Sequence, residues 1–165
     1  MKVLLLITML LSFIFAQDID IKGLKIGMTY EEANKLFDLK PVGKFRLVAM
    51  KNGKDVTFAT AKVEQLYLEF SNNKIINIVM KLKSDDYNTV VAPLKEKYKM
   101  KCEKSIIENK IGAKFNQEEC IFISNGIKMS IDKYFQNITD SLLFVSKEPT
   151  MEDVNKRAET AKKDI

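Results

Sequence analysis

The chain has 165 residues, a formal net charge of +5 and not one histidine. That length suits a single domain with a real core and is short for two. The missing histidine excludes Ser-His-Asp and Cys-His nucleophile systems and the usual zinc ligand sets. The basic residues are spread along the chain without a long run, which argues against a nucleic-acid surface.

Met1–Ala16 reads as a signal peptide. Lys2 supplies the positive start, Val3–Phe15 is an apolar run broken only by Thr8 and Ser12, and Ala16 is a small residue suited to cleavage. An uncleaved anchor is the alternative, although the run is shorter than the roughly 20 residues a spanning helix needs. Cleavage would leave a chain starting at Gln17 with a net charge of +4, exported to a periplasm or secreted. The expected division is 1–16 signal peptide, 17–148 a single α+β domain and 149–165 a C-terminal helix.

Ile21–Phe37 carries the strongest local signal. Thr29 is an N-cap, and Glu32 three residues on completes a capping box. Met28 and Ala33 occupy the hydrophobic-staple positions. Tyr30, Ala33, Leu36 and Phe37 fall on one helical face. Gly27 stands just before the cap, where a side chain is expected to obstruct the turn. The helix should stop before Pro41. Gly27-Met28-Thr29-Tyr30-Glu31-Glu32-Ala33 resembles the GMT-x-x-E-[VA] signature of the SmpA/OmlA family of small outer-membrane assembly proteins. It is also similar to small exported proteins that share the β-lactamase-inhibitor-protein fold. The resemblance implies helices at the edge or on one face of an antiparallel sheet, and a role in binding proteins without catalysis. Unlike most SmpA/OmlA members, this chain has no cysteine at the cleavage site.

Strands follow. Phe45–Met50 is a short candidate, and Asn52-Gly53 turns into Asp55–Thr60. Glu64–Phe70 and Ile76–Leu82 alternate apolar and polar residues around Asn72-Asn73. Opposed residues must share a face, so a three-residue loop Asn72–Lys74 is expected, opposing Phe70 to Ile76, Leu68 to Ile78 and Leu66 to Met80. Asn73 or Lys74 would then be left-handed. That register puts Tyr67 opposite Val79 on the side away from the core, a candidate protein-contact pair; cover by a helix or by the chain's own tail is the alternative.

Tyr87, Val90, Val91, Leu94 and Tyr98 place a second helix over Ser84–Tyr98, with Pro93 as a local conflict. Lys101–Glu108 and Lys114–Ile123 pair around Ile111-Gly112 and bring Cys102 opposite Cys120. In an exported protein those two cysteines form a disulfide. Asn125-Gly126 is a two-residue hairpin turn opposing Phe122 to Met129 and Cys120 to Ile131. Ser141–Ser146 is the last strand. Thr150 caps a final helix bearing Met151, Val154, Ala158, Ala161 and Ile165. The order is helix, strands, helix, strands, helix: α+β with an antiparallel meander.

No G-x-S-x-G, P-loop, G-x-G-x-x-G or calcium loop occurs. The carboxylate pairs Glu31-Glu32, Asp85-Asp86, Glu118-Glu119 and Glu152-Asp153 mostly fall at helix starts, where they match the dipole. No cofactor, no metal and no catalytic set is expected. Asn137-Ile138-Thr139 matches a glycosylation sequon. The reading is a small exported non-enzymatic module of the bacterial envelope that binds another protein, as inhibitor or assembly accessory. A small-ligand or envelope-polymer binder is the alternative, and a carboxylate-dependent hydrolase a more distant one.

Overall fold

Thr29 starts the first helix as its chemistry dictates. In the computed structural model its hydroxyl accepts from the Glu32 amide at 3.2 Å, and the Glu32 carboxylate accepts from the Thr29 amide at 2.8 Å. The residues described are 18–42, 46–50 and 56–148; the expected signal peptide, Asn52-Gly53 turn and C-terminal helix lie outside them. Helix α1 spans Tyr30–Leu36 and buries Ala33, with Phe37 buried just after it. Leu36 is 40% exposed and so does not join the core as its spacing suggested. Gly27 is needed for a different reason from the one expected. Its φ is +87°, and an added Cβ would meet no atom within 4 Å. The left-handed backbone, and not crowding, selects glycine there. Replacing Thr29 by Ala should remove the hydroxyl half of the box, leave the amide that Glu32 accepts from, and lower the unfolding free energy by about 1 kcal/mol, read from urea denaturation.

The strands are β1 (Asp38–Pro41), β2 (Arg46–Met50), β3 (Thr57–Phe58), β4 (Ala61–Ser71), β5 (Lys74–Lys83), β6 (Lys101–Glu108), β7 (Lys114–Ser124), β8 (Ile127–Asp132) and β9 (Asp140–Lys147). A 3₁₀ turn at Ser84–Asp86 leads into helix α2, Tyr87–Tyr98, which runs through Pro93 and ends on Lys99 in the left-handed region. The nine strands form one antiparallel sheet in the order β1-β2-β4-β5-β9-β8-β7-β6, with β3 pairing off β4. Two meanders, each preceded by a helix, thus meet where β5 pairs with β9. Strand β1 lies where Pro41 and Gly43 predict a loop; its proline sits at an edge, where a missing amide does no harm. Of the expected Asp55–Thr60, Asp55 lies outside the described residues, and β3 takes only Thr57–Phe58, with Ala59 and Thr60 turning into β4.

The β4–β5 hairpin corrects the expected three-residue loop. Ser71 opposes Lys74, and Asn72 and Asn73 alone turn the chain with φ of 49° and 60°. Leu68 still opposes Ile78 and Leu66 still opposes Met80, because a bulge between Glu69 and Phe70 sets Phe70 against Ile75 and leaves Ile76 as the extra residue. The Asn125-Gly126 turn opposes Phe122 to Met129 and Cys120 to Ile131, as expected.

One sheet face carries the core. Leu66, Leu68, Ile78, Met80, Leu143, Val145, Met129, Ile131 and Cys120 are buried against Val90, Val91 and Leu94 of α2, with Ile19, Ile21 and Leu24 of the N-terminal segment in the same cluster. The Tyr98 hydroxyl holds that segment, donating to the Asp20 carbonyl at 3.0 Å and accepting from the Asp20 amide at 3.1 Å. Tyr98 also packs on the Phe122 ring at 5.3 Å. Cys102 and Cys120 are directly opposed and joined in a disulfide, Cα to Cα 4.0 Å. Among the described residues no helix is long and apolar enough to cross a membrane.

Candidate protein-contact site

Strand alternation sends every second side chain to the face away from α2. Tyr67 opposes Val79 there, as the sequence register requires. Non-local pairing then extends the row. Val79 faces Phe144, Phe144 faces Ser130, and Ser130 faces Ile121. The result is a band across five neighbouring strands, apolar at each of them except β8, with Leu142 adjoining it on β9. Tyr67, Val79, Leu142, Phe144 and Ile121 are each partly exposed. Among the described residues both α-helices belong to the opposite face.

Charge flanks the band. On one side the Lys81 ammonium lies 2.8 Å from the Asp140 carboxylate and 3.9 Å from Glu64. The Asp140 hydrogen bond holds Lys81 above the ordinary lysine value, and the same bond holds Asp140 below the ordinary carboxylate value. Both groups stay charged through the neutral range. Asn137 fixes Asp140 in turn, donating to its carboxylate at 2.7 Å and accepting from its amide at 2.9 Å. The sequon asparagine therefore works as the clasp of the β8–β9 loop. Continuing the row, Leu142 faces Asp132, Asp132 faces Glu119 and Glu119 faces Glu103. Burial, and then the charge of Glu119, hold Asp132 above the ordinary carboxylate value. On the other side the Asn77 amide donates to Glu69 at 2.7 Å.

The sequence carboxylate pairs do not converge on a cleft. Glu31 accepts from the Asn73 side chain, Glu32 belongs to the cap, and Glu118 and Glu119 point to opposite faces of β7. Asp85 and Asp86 lie in the 3₁₀ turn, and Glu152 and Asp153 fall outside the described residues. Cys102, Glu118 and Cys120 offer atoms within 4.8 Å of one another. Their two sulfurs are bonded to each other, which removes the thiolates a metal would need.

Gly27, Thr29 and Glu32 build the α1 start and stand apart from the band. The residues missed by the sequence reading are Phe144, Leu142 and Ile121. Leu142-Leu143-Phe144-Val145 is an unbroken apolar run, the pattern of a strand apolar on both faces, and it held the clue. Only the β5–β9 pairing places Phe144 beside Val79. Surface grooves of about 460, 470 and 690 Å³ line the sheet ends and the β6 side. Comparison with protein-family models, curated proteins and solved structures finds no match to this chain.

Proposed function

We propose that the chain is a small exported module of the bacterial envelope, without catalytic activity, that binds another folded protein through its open sheet face. The observation that supports this reading is the band Tyr67, Val79, Phe144 and Ile121. It offers aromatic and branched apolar surface at its centre and charged rows at its margins, the anatomy of a protein–protein contact. A rigid sheet positions the anchors without ordering cost. The Cys102–Cys120 disulfide and the absence of a membrane-length helix among the described residues are compatible with export. The likeness of Gly27–Ala33 to the SmpA/OmlA signature points the same way.

The test is a cross-linked pull-down of the oxidised protein from its native envelope fraction, run in parallel with Phe144→Thr. Threonine keeps the strand propensity and removes the ring. One protein should be captured in stoichiometric yield by the wild type, and its affinity should fall about 30-fold in the variant, the effect of truncating a central aromatic anchor. Equal capture by both proteins would contradict the reading and favour small ligands or envelope polymers.

A further inference from the structure

The two outer edges of the sheet differ. Strand β1 has four residues and ends in Pro41, which blunts it. Strand β6 has eight residues, no proline and an unbroken register with β7 from Lys101 to Glu108. Its outward groups follow from the ladder. Cys102 and Cys120 approach to 4.0 Å between Cα atoms, the short spacing of a non-hydrogen-bonded pair, about 4.5 Å in ordinary antiparallel sheets. The amides and carbonyls of Cys102, Lys104, Ile106 and Glu108 therefore point away from β7. The next strand agrees: the Glu118 carbonyl, opposite Lys104, accepts from Lys133 on the β8 side at 2.9 Å. Among the described residues nothing pairs with this outer row.

A groove lies beside the edge on each face. On the α2 face, Lys104, Ile106, Asn116, Lys133 and Asn88 line about 460 Å³. Glu118 in that groove is matched by Lys95 at 3.5 Å. Lys104 and Lys133 have no carboxylate within 4 Å among the described residues, so the groove is left cationic. On the open face, Ile121 and Ile123 supply apolar surface to a groove of about 470 Å³ beside Lys101 and Glu103; its lining also includes Tyr98 and Phe122, which pack with the α2 face. The open-face groove flanks Lys101 and Glu103 and the cationic one flanks Lys104 and Ile106, so positions three apart, 101 with 104 or 103 with 106, lie on opposite faces. An added strand sends alternate side chains to opposite faces, so one extended segment can fill both.

We propose that the free edge of β6 takes up an extended strand of a partner polypeptide, seating an acidic side chain between Lys104 and Lys133 and a large apolar one on Ile121 and Ile123, three residues apart. Main-chain hydrogen bonds to Cys102, Lys104, Ile106 and Glu108 hold the strand, and the two grooves select it. Charged residues on β6 keep the empty edge soluble and restrict it to charge-matched strands. This surface is separate from the Tyr67–Val79 band and stands or falls independently of it.

The test pans a phage-displayed random dodecapeptide library on the oxidised full chain and measures the enriched peptides by fluorescence anisotropy. Wild type is compared with Ile106→Pro and Ile106→Thr. Proline removes an outward amide without touching the β6–β7 ladder, and threonine keeps it. Enriched sequences should share Asp or Glu and a large apolar residue three apart. Affinity should fall about tenfold or more in Ile106→Pro and stay within about threefold in Ile106→Thr, since recognition is by backbone. Amide exchange at Cys102, Lys104, Ile106 and Glu108 of the wild type should slow when peptide is added, a readout that needs no variant. Absence of enrichment overturns the proposal, as does equal binding to Ile106→Pro. Slow exchange at these amides in the free monomer assigns the edge to the chain itself, and slowing with protein concentration assigns it to a second copy; either result overturns it too.

Discussion

Replacing Leu143 by Ala lowers the unfolding free energy by about 3 to 4 kcal/mol, and the protein still unfolds in a single transition. Leu143 has no exposed surface and stands between Met80 of β5 and Ile131 of β8, at the join of the two meanders. Truncation removes buried apolar surface and leaves a cavity that a sheet held on both sides cannot close, which puts the loss in the upper part of the range for such changes. The single transition follows from the topology. The first meander and the second share one buried cluster, running from Leu66 and Leu68 through Met80 and Leu143 to Met129, so neither keeps its core when the other melts. Urea unfolding followed by far-UV circular dichroism and by tyrosine fluorescence checks both parts. Coincident midpoints, shifted together, are the expected result. Two separated transitions would show that the β5–β9 join does not couple the halves.

Reduction of Cys102–Cys120 has a comparable effect for a different reason. The bond closes a loop across a sequence separation of 18, which restricts the unfolded chain by about 3 kcal/mol in the chain-entropy model. In the native state the bond staples the edge strand β6 to β7 at a position already fixed by register. The Tyr87 hydroxyl lies 3.5 Å from the Cys120 sulfur and 3.4 Å from the Glu118 carbonyl, and burial, with the charge of Glu118, raises its pKa well above the usual phenol value. Tyr87 therefore stays neutral and anchors α2 to this end of the sheet whether the disulfide is present or not. Comparing urea midpoints with and without reductant should show the loss of about 3 kcal/mol with little change in β-sheet signal. An unchanged midpoint would mean that the unfolded ensemble is already restricted there.

Local chemistry was legible in the sequence. The Thr29–Glu32 box, the Asn125-Gly126 turn and the Cys102–Cys120 register are each set within one hairpin or one helical turn, where few alternatives compete. The β4–β5 loop shows where that reasoning fails. Face matching demanded an odd loop, and the chain met the same demand with a two-residue turn plus a bulge at Glu69 and Phe70, a solution that alternation cannot distinguish. The candidate site was half legible. Tyr67 and Val79 are neighbours through a local hairpin, whereas Phe144 joins them only because β9 pairs with β5, over a sequence separation that no turn signal spans. Strand β1 was missed because Pro41 marks a loop by local rules and becomes acceptable only at a sheet edge.

The proposed contact of the open face with another protein can be probed in place. Its most direct test is a photo-crosslinking residue placed at Val79, with a second placed at exposed Lys35 on α1 as control, in the native envelope. One discrete adduct is expected from position 79 and none from position 35, and the adduct should be abolished when Phe144→Thr is added. No adduct from position 79, with the protein folded and oxidised, would contradict it.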